Sequence, residues 1–254
     1  MKFLSTVLPA LLGAMGVLCS ATVSAADALP NRIQGDIGVA VYANTNPVNG
    51  VGGTQIAVPY SYFDYGRFFA RFDTFGIKTL PLGYGYLEVV GRVNLDGFRT
   101  NNPALRGIRD RQNSLPLGMG TFQETPFGGF FLNAFYDVNR SHGQLYELIY
   151  AAKFDVGNAV VYPMFGFEHF TAQYTQYFYG VSPTEAQNSL YPTYIPKANT
   201  TTMLGWAWEI PVEKDWNINV YMMRRWLGSA ITQSPLVNSR TQDEAFFAFS
   251  YHYK

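Results

Sequence analysis

Residues 244–254, which read EAFFAFSYHYK, constrain the fold more than any other stretch. Ala245, Phe247, Phe249, Tyr251 and Tyr253 form one alternate set; Glu244, Phe246, Ala248, Ser250, His252 and Lys254 form the other. A strand sends successive side chains to opposite faces, so one face here is apolar or aromatic throughout and the other carries most of the polarity. Soluble sandwich strands share this pattern. At the end of an exported chain it reads as the closing strand of an outer-membrane β-barrel, with its apolar face toward lipid.

Composition fits that reading. Charged residues make up 14% of the chain, against about 25% in soluble domains. Aromatics reach 17%, yet mean hydropathy is only −0.04. A helical membrane protein would be far more hydrophobic; a barrel with one lipid face and one wet face gives this balance. Formal net charge is zero, so nothing points to nucleic acid.

Residues 1–25 read as a cleaved signal peptide. Lys2 begins it, Phe3–Leu18 is its apolar stretch, and Val23-Ser24-Ala25 is the small-residue cleavage site. Cys19, the single cysteine, falls inside this segment, and Leu18 before it argues against lipidation. The mature chain, residues 26–254, then has no disulfide framework and no thiol chemistry. Nothing after Ala26 is an apolar run long enough for a spanning helix.

Alternation marks strands over Gly35–Ala43, Thr54–Tyr65, Tyr84–Leu95, Leu115–Thr125, Gly128–Val138, Gly143–Val156, Ala159–Tyr174, Thr200–Ile210 and Trp216–Leu227. Arg67–Leu80 is one bent strand or two short ones. An even count requires two, which gives an antiparallel transmembrane barrel of about twelve strands, with ten as the alternative. No helix is expected. Segments 96–114, 175–199 and 228–243 read as long surface loops, whereas 157–158 and 212–215 are tight turns. Short periplasmic turns and long external loops are the usual barrel asymmetry. The Arg99, Arg106, Arg109 and Arg111 cluster either is solvated or meets lipopolysaccharide phosphates. Outer-membrane lipid and lipopolysaccharide are the expected surroundings.

Glu88 and Arg92 share one strand face and cannot both face lipid cheaply. With Glu209 and Arg225 they are the expected lumen charges, and Glu88 and Arg92 are expected to interact. His169 follows Glu168, so the two point to opposite faces. Ser141-His142 is adjacent in sequence, which does not make a triad. No catalytic residue, cofactor or metal is expected from these spacings.

Tyr179-Gly180-Val181-Ser182, Glu185-Ala186, Leu190, Tyr194, Pro196, Trp216, Arg225, Leu227 and Ser234-Pro235-Leu236-Val237, with Arg67–Arg71 upstream, form a pattern whose main block is Tyr177–Val237. In order and spacing it resembles the MipA/OmpV family. Two departures stand out: Lys254 follows the terminal aromatic, and Arg224-Arg225-Trp226-Leu227 replaces a Tyr-x-Arg-Leu pattern. The resemblance implies an outer-membrane barrel. For some members it implies a scaffold binding a lytic murein transglycosylase and a peptidoglycan synthase; others are porin-like or adhesive. Tyr179, Gly180, Val181, Ser182, Glu185, Tyr194, Ser234 and Pro235 would then contact a partner or ligand, or simply fix a loop on the barrel mouth.

Overall fold

The structure is a computed structural model describing residues 29–254; the signal peptide expected over residues 1–25 lies outside them. Its strands are β1 (Gln34–Asn44), β2 (Thr54–Tyr65), β3 (Phe68–Arg71), β4 (Thr74–Leu82), β5 (Gly85–Arg92), β6 (Pro116–Thr125), β7 (Gly128–Asp137), β8 (Gln144–Ala151), β9 (Phe154–Val156), β10 (Ala159–Phe170), β11 (Asn199–Glu213), β12 (Trp216–Trp226) and β13 (Thr241–Tyr253). Each pairs antiparallel with its neighbour. β13 closes onto β1, with Tyr251 opposite Ile37 and Phe247 opposite Val41. β8 and β9 both pair with β10, so they are two halves of one stave. The barrel therefore has twelve staves, with Arg67–Leu80 split in two as an even count demands.

The alternation sorts as physics requires. Phe247, Phe249 and Tyr253 are exposed on the outer wall while Phe246, Ala248 and Ser250 are buried inside. On β12, Trp216, Met222 and Trp226 face out; Asn217, Asn219 and Met223 face in. The two outward tryptophans cap the lipid-facing band at both ends. Periodicity alone does not say which face is which. In β2 the apolar set points inward: Tyr60 pairs with Gly38 and Val58 with buried Ala40. No helix among the described residues is long and apolar enough to cross a membrane.

Val39 lies outward on β1, 67% exposed, opposite Phe249 and Pro59. Val39→Arg places a guanidinium in the lipid-facing band and costs roughly 2–4 kcal/mol. Urea titration of the barrel refolded into lipid vesicles reads this as a lowered midpoint. An unchanged midpoint would place Val39 outside the hydrocarbon.

The long connections are not the surface loops the sequence suggested, and helices do occur. The strand expected to run to Tyr174 ends at Phe170, and α1 (Ala172–Tyr179) follows; α2 (Pro183–Asn188) and α3 (Ser229–Thr232) lie in the later connections. These segments fold into the external mouth. Phe98, Leu105, Ile108, Phe178, Val181, Ile231 and Leu236 form one buried cluster with Phe135 and Leu145 of the wall. Their apolar residues are too irregularly spaced to show a period, and only burial in the mouth removes them from water.

Candidate functional site

The mouth and the lumen beneath it hold all the candidate residues. In the mouth, α2 starts on a capping box. Ser182 Oγ accepts from the Glu185 amide at 3.2 Å, and Glu185 accepts from the Ser182 amide at 2.9 Å. The other Glu185 oxygen takes Arg111 Nη1 at 2.9 Å, and Arg111 Nη2 donates to the Gly180 carbonyl at 3.0 Å. Arg111 is fully buried and faces the plug, so it is not part of a lipopolysaccharide-facing cluster; Arg99, Arg106 and Arg109 remain exposed. Burial raises the Glu185 pKa, but the Ser182 amide and Arg111 outweigh it and hold the carboxyl at about 2.

The same block ties the connections to one another. Val181 and Tyr194 exchange backbone bonds of 2.9 Å. Ser234 Oγ donates to the Tyr179 carbonyl at 2.6 Å, with Pro235 next in the chain, and Tyr194 Oη donates to the Ala230 carbonyl at 3.0 Å. The structure thus brings Tyr179, Gly180, Val181, Ser182, Glu185, Tyr194, Ser234 and Pro235 into one plug. Their polar groups are turned largely to one another.

Below the plug lies a cavity of about 800 Å³. At its centre Arg92 reaches Asp73, Glu147 and Glu168, each at 2.9 Å. Arg225 lies 3.5 Å from Glu168 and 3.3 Å from Glu244. Glu244 also accepts from Tyr221 Oη at 2.7 Å, and Glu147 from Asn133 at 2.8 Å. Sequence reasoning found Arg92 and Arg225 but missed their carboxylates. A signal was present: Glu147 and Glu168 are the single acidic residues of the mostly apolar strands β8 and β10, which marks an inward position.

Glu88 does not pair with Arg92. It takes a two-pronged contact from Arg71 at 3.0 and 2.9 Å, and that guanidinium lies 4.1 Å over the Phe69 ring. Residues four apart on a strand are about 13 Å apart, so partners come from neighbouring strands. Glu209 sits apart near the periplasmic end, where Asn217 bridges it to Asp36. There Asp36, Glu209 and His252 place one ligand atom each within 4.8 Å of one another. That geometry can hold a cation, which linear spacing could not show because three strands supply it. Asp36 is otherwise satisfied by Ser250 at 3.0 Å and by His252 at 3.3 Å.

Ser141, His142 and His169 form no relay with one another among the described residues. Ser141 Oγ donates to Asp137 at 2.6 Å in a turn where His142 has φ +52°, and His169 meets Thr200 on the outer face.

A family model described as MltA-interacting protein MipA matches residues 37–253, the whole barrel but for its first strand's opening residues. Omp26La, an outer membrane protein of Vibrio anguillarum, is 23% identical over 153 residues, covering 59% of this chain and 58% of its own. OmpV of Vibrio cholerae is 24% identical over the same length, again 58% of its chain. YiaT of Escherichia coli K12, a putative outer membrane protein, is 22% identical over 162 residues, 66% of its chain. The matched segment therefore spans less than two thirds of these relatives. A twelve-stave barrel with an outward aromatic band, matched along nearly its full length by one family model, is an outer-membrane protein, and the chain belongs to the MipA family.

Proposed function

We propose that this protein is an outer-membrane barrel plugged at its outer mouth that binds a small ligand in its lumen and catalyses no reaction. The observation that carries this reading is the packed plug above the roughly 800 Å³ cavity. That volume lies within the usual range for small-molecule sites, while the buried cluster in the mouth leaves no ready route for free diffusion. The charged pairs at the centre offer several fixed polar groups to whatever enters. In planar bilayers the intact barrel is expected to show no open channel, whereas removal of residues 183–196 is expected to give one. Steady conductance from the intact protein would instead make it a narrow pore.

A second reading is a scaffold for a murein transglycosylase and a peptidoglycan synthase. The description of the matching family, MltA-interacting protein, favours it. Against it, the periplasmic turns are short, such as Gly157-Asn158 between β9 and β10, and offer little surface. Its test is a pull-down from detergent-solubilised envelopes at moderate salt. Stoichiometric recovery of a transglycosylase supports the scaffold; recovery of lipopolysaccharide and assembly factors alone removes its support.

A further inference from the structure

The barrel wall is not closed to its full height at β3 and β4. The last β2–β3 pair is Tyr62 with Arg71, after which the chain turns at Phe72-Asp73. β2 continues for eight residues, Thr54–Ser61, paired with β1 alone. That is roughly 26 Å of strand. Across the gap β5 ends at Arg92 and the chain leaves as coil. Two backbone bonds make the sill: Phe72 N–H to Ser61 O at 2.7 Å and Val93 N–H to Asp73 O at 2.8 Å. Above, the coil crosses back, and Asn102 Nδ2 donates to the Gly50 carbonyl at 2.6 Å. The result is a framed window.

Its level is set by the paired strand. Opposite Pro59 and Ala57 lie Val39 and Val41, both outward in the lipid-facing band. The Ser61 bond shows which β2 groups face the window: those of Ser61, Pro59, Ala57 and Gln55. Pro59 has no N–H to leave unpaired there. The remaining edge groups are costly against alkyl chains, so the window suits water or a polar head group.

The cavity reaches this window. Pro59, Phe75 and Val93 beside the sill line it together with the lumen residues. Just inside, Phe72 stands at φ +55° with its ring 4.1 Å from that of Phe246, among Tyr42, Tyr60 and Tyr221. Positive φ at the first central residue of a two-residue hairpin is ordinary for such turns, and here it carries the Phe72 ring into this cluster. Deeper in, five carboxylates, Asp73, Asp96, Glu147, Glu168 and Glu244, surround only two guanidiniums, Arg92 and Arg225. Over the whole lining, nine Asp and Glu stand against four Arg and Lys.

We propose that this window is a lateral route between the outer leaflet and the lumen for an amphiphile with a cationic head. The head neutralises the carboxylate excess, the aromatic ring cluster holds the stem, and the chain lies out through the window beside Pro59, the part of the edge with no N–H to leave unpaired. This rests on the luminal-binding reading and names its ligand class and route.

The test uses the mature protein in phosphatidylcholine vesicles, with dodecylamine carrying a fluorophore at its chain end. Saturable one-to-one binding is expected, with dodecyl sulfate at least 100-fold weaker as a competitor. Val58→Trp, which fills the inner side of the window, is expected to slow association more than tenfold. Phe72→Gly keeps the positive φ and is expected to speed it. Heat-modifiable gel mobility checks that each variant is folded. Equal association rates in all three proteins would mean entry by the periplasmic end: the window is then wrong and luminal binding stands. Stronger binding of the sulfate would overturn the cationic head. Absence of saturable binding by either amphiphile would overturn both the window and the luminal reading.

Discussion

Arg92→Leu is expected to destabilise the barrel by roughly 3–5 kcal/mol, the usual result of removing one partner from buried charges. Arg92 holds Asp73, Glu147 and Glu168 at 2.9 Å each, and its side chain and those of both glutamates are almost wholly buried. Leucine fills most of the volume but leaves three carboxylates facing one another in the lumen with no cation at their centre. Arg225 can take up part of Glu168, from which it is already 3.5 Å away, but it cannot reach all three. Lysine at 92 keeps the charge yet loses the planar fork that serves several acceptors at once, so Arg92→Lys should fall between the two. Urea unfolding in vesicles, followed by tryptophan fluorescence, gives the ordering wild type, Lys, Leu. Adding Glu147→Gln to Arg92→Leu should recover part of the loss, because it removes one of the stranded charges. Were Arg92→Leu as stable as the wild type, solvent in the lumen would already screen these carboxylates and Arg92 would not be what holds them together.

Much of the barrel was legible because alternation is a strict consequence of strand geometry. The closing strand sorted as its sequence said, and Arg67–Leu80 split in two because barrels of this kind close with an even count. Arg92, Glu209 and Arg225 line the lumen and Glu88 is buried in the wall against Arg71, in keeping with the cost of a charge on the lipid face. What the sequence could not supply was partnership. Glu88 found Arg71 and Arg92 found Glu147 and Glu168 across strands, separations that only register decides. The mouth was illegible for a different reason. Its apolar residues, such as Leu105, Val181 and Leu236, follow neither a period of two nor one of 3.6, so they read as loop although they are almost completely buried. The resemblance to a known family drew attention to that block without saying that its side chains bind one another.

Acid should release the plug while the barrel stays closed. Glu185 is held at about 2 in the folded mouth, against an ordinary glutamate near 4.3. A carboxyl with a depressed folded pKa contributes stability that is fully present above its unfolded value and is lost as pH falls toward the folded one. The affected window is therefore roughly pH 4.5 down to 2, and nothing changes on this account between pH 6 and 8. The barrel ladder does not depend on this group, so loosening is local. Arg111→Leu should produce the same release at neutral pH, at a cost of about 3 kcal/mol to the plug, because Arg111 joins segment 96–114 to both Glu185 and the Gly180 carbonyl. Glu185→Gln tests the charge separately: it keeps most of the shape but weakens the Arg111 contact and the capping box together. The measurement is protease cleavage within residues 96–114 and 183–196 on vesicles with the mouth outward, together with heat-modifiable gel mobility. Cleavage should appear in Arg111→Leu at pH 7 and in the wild type only near pH 3, with folded mobility kept throughout. Simultaneous loss of mobility would tie the plug to the wall as one cooperative unit. Resistance of Arg111→Leu at neutral pH would shift the burden of closure from the ion pair to the apolar cluster around Leu105 and Val181.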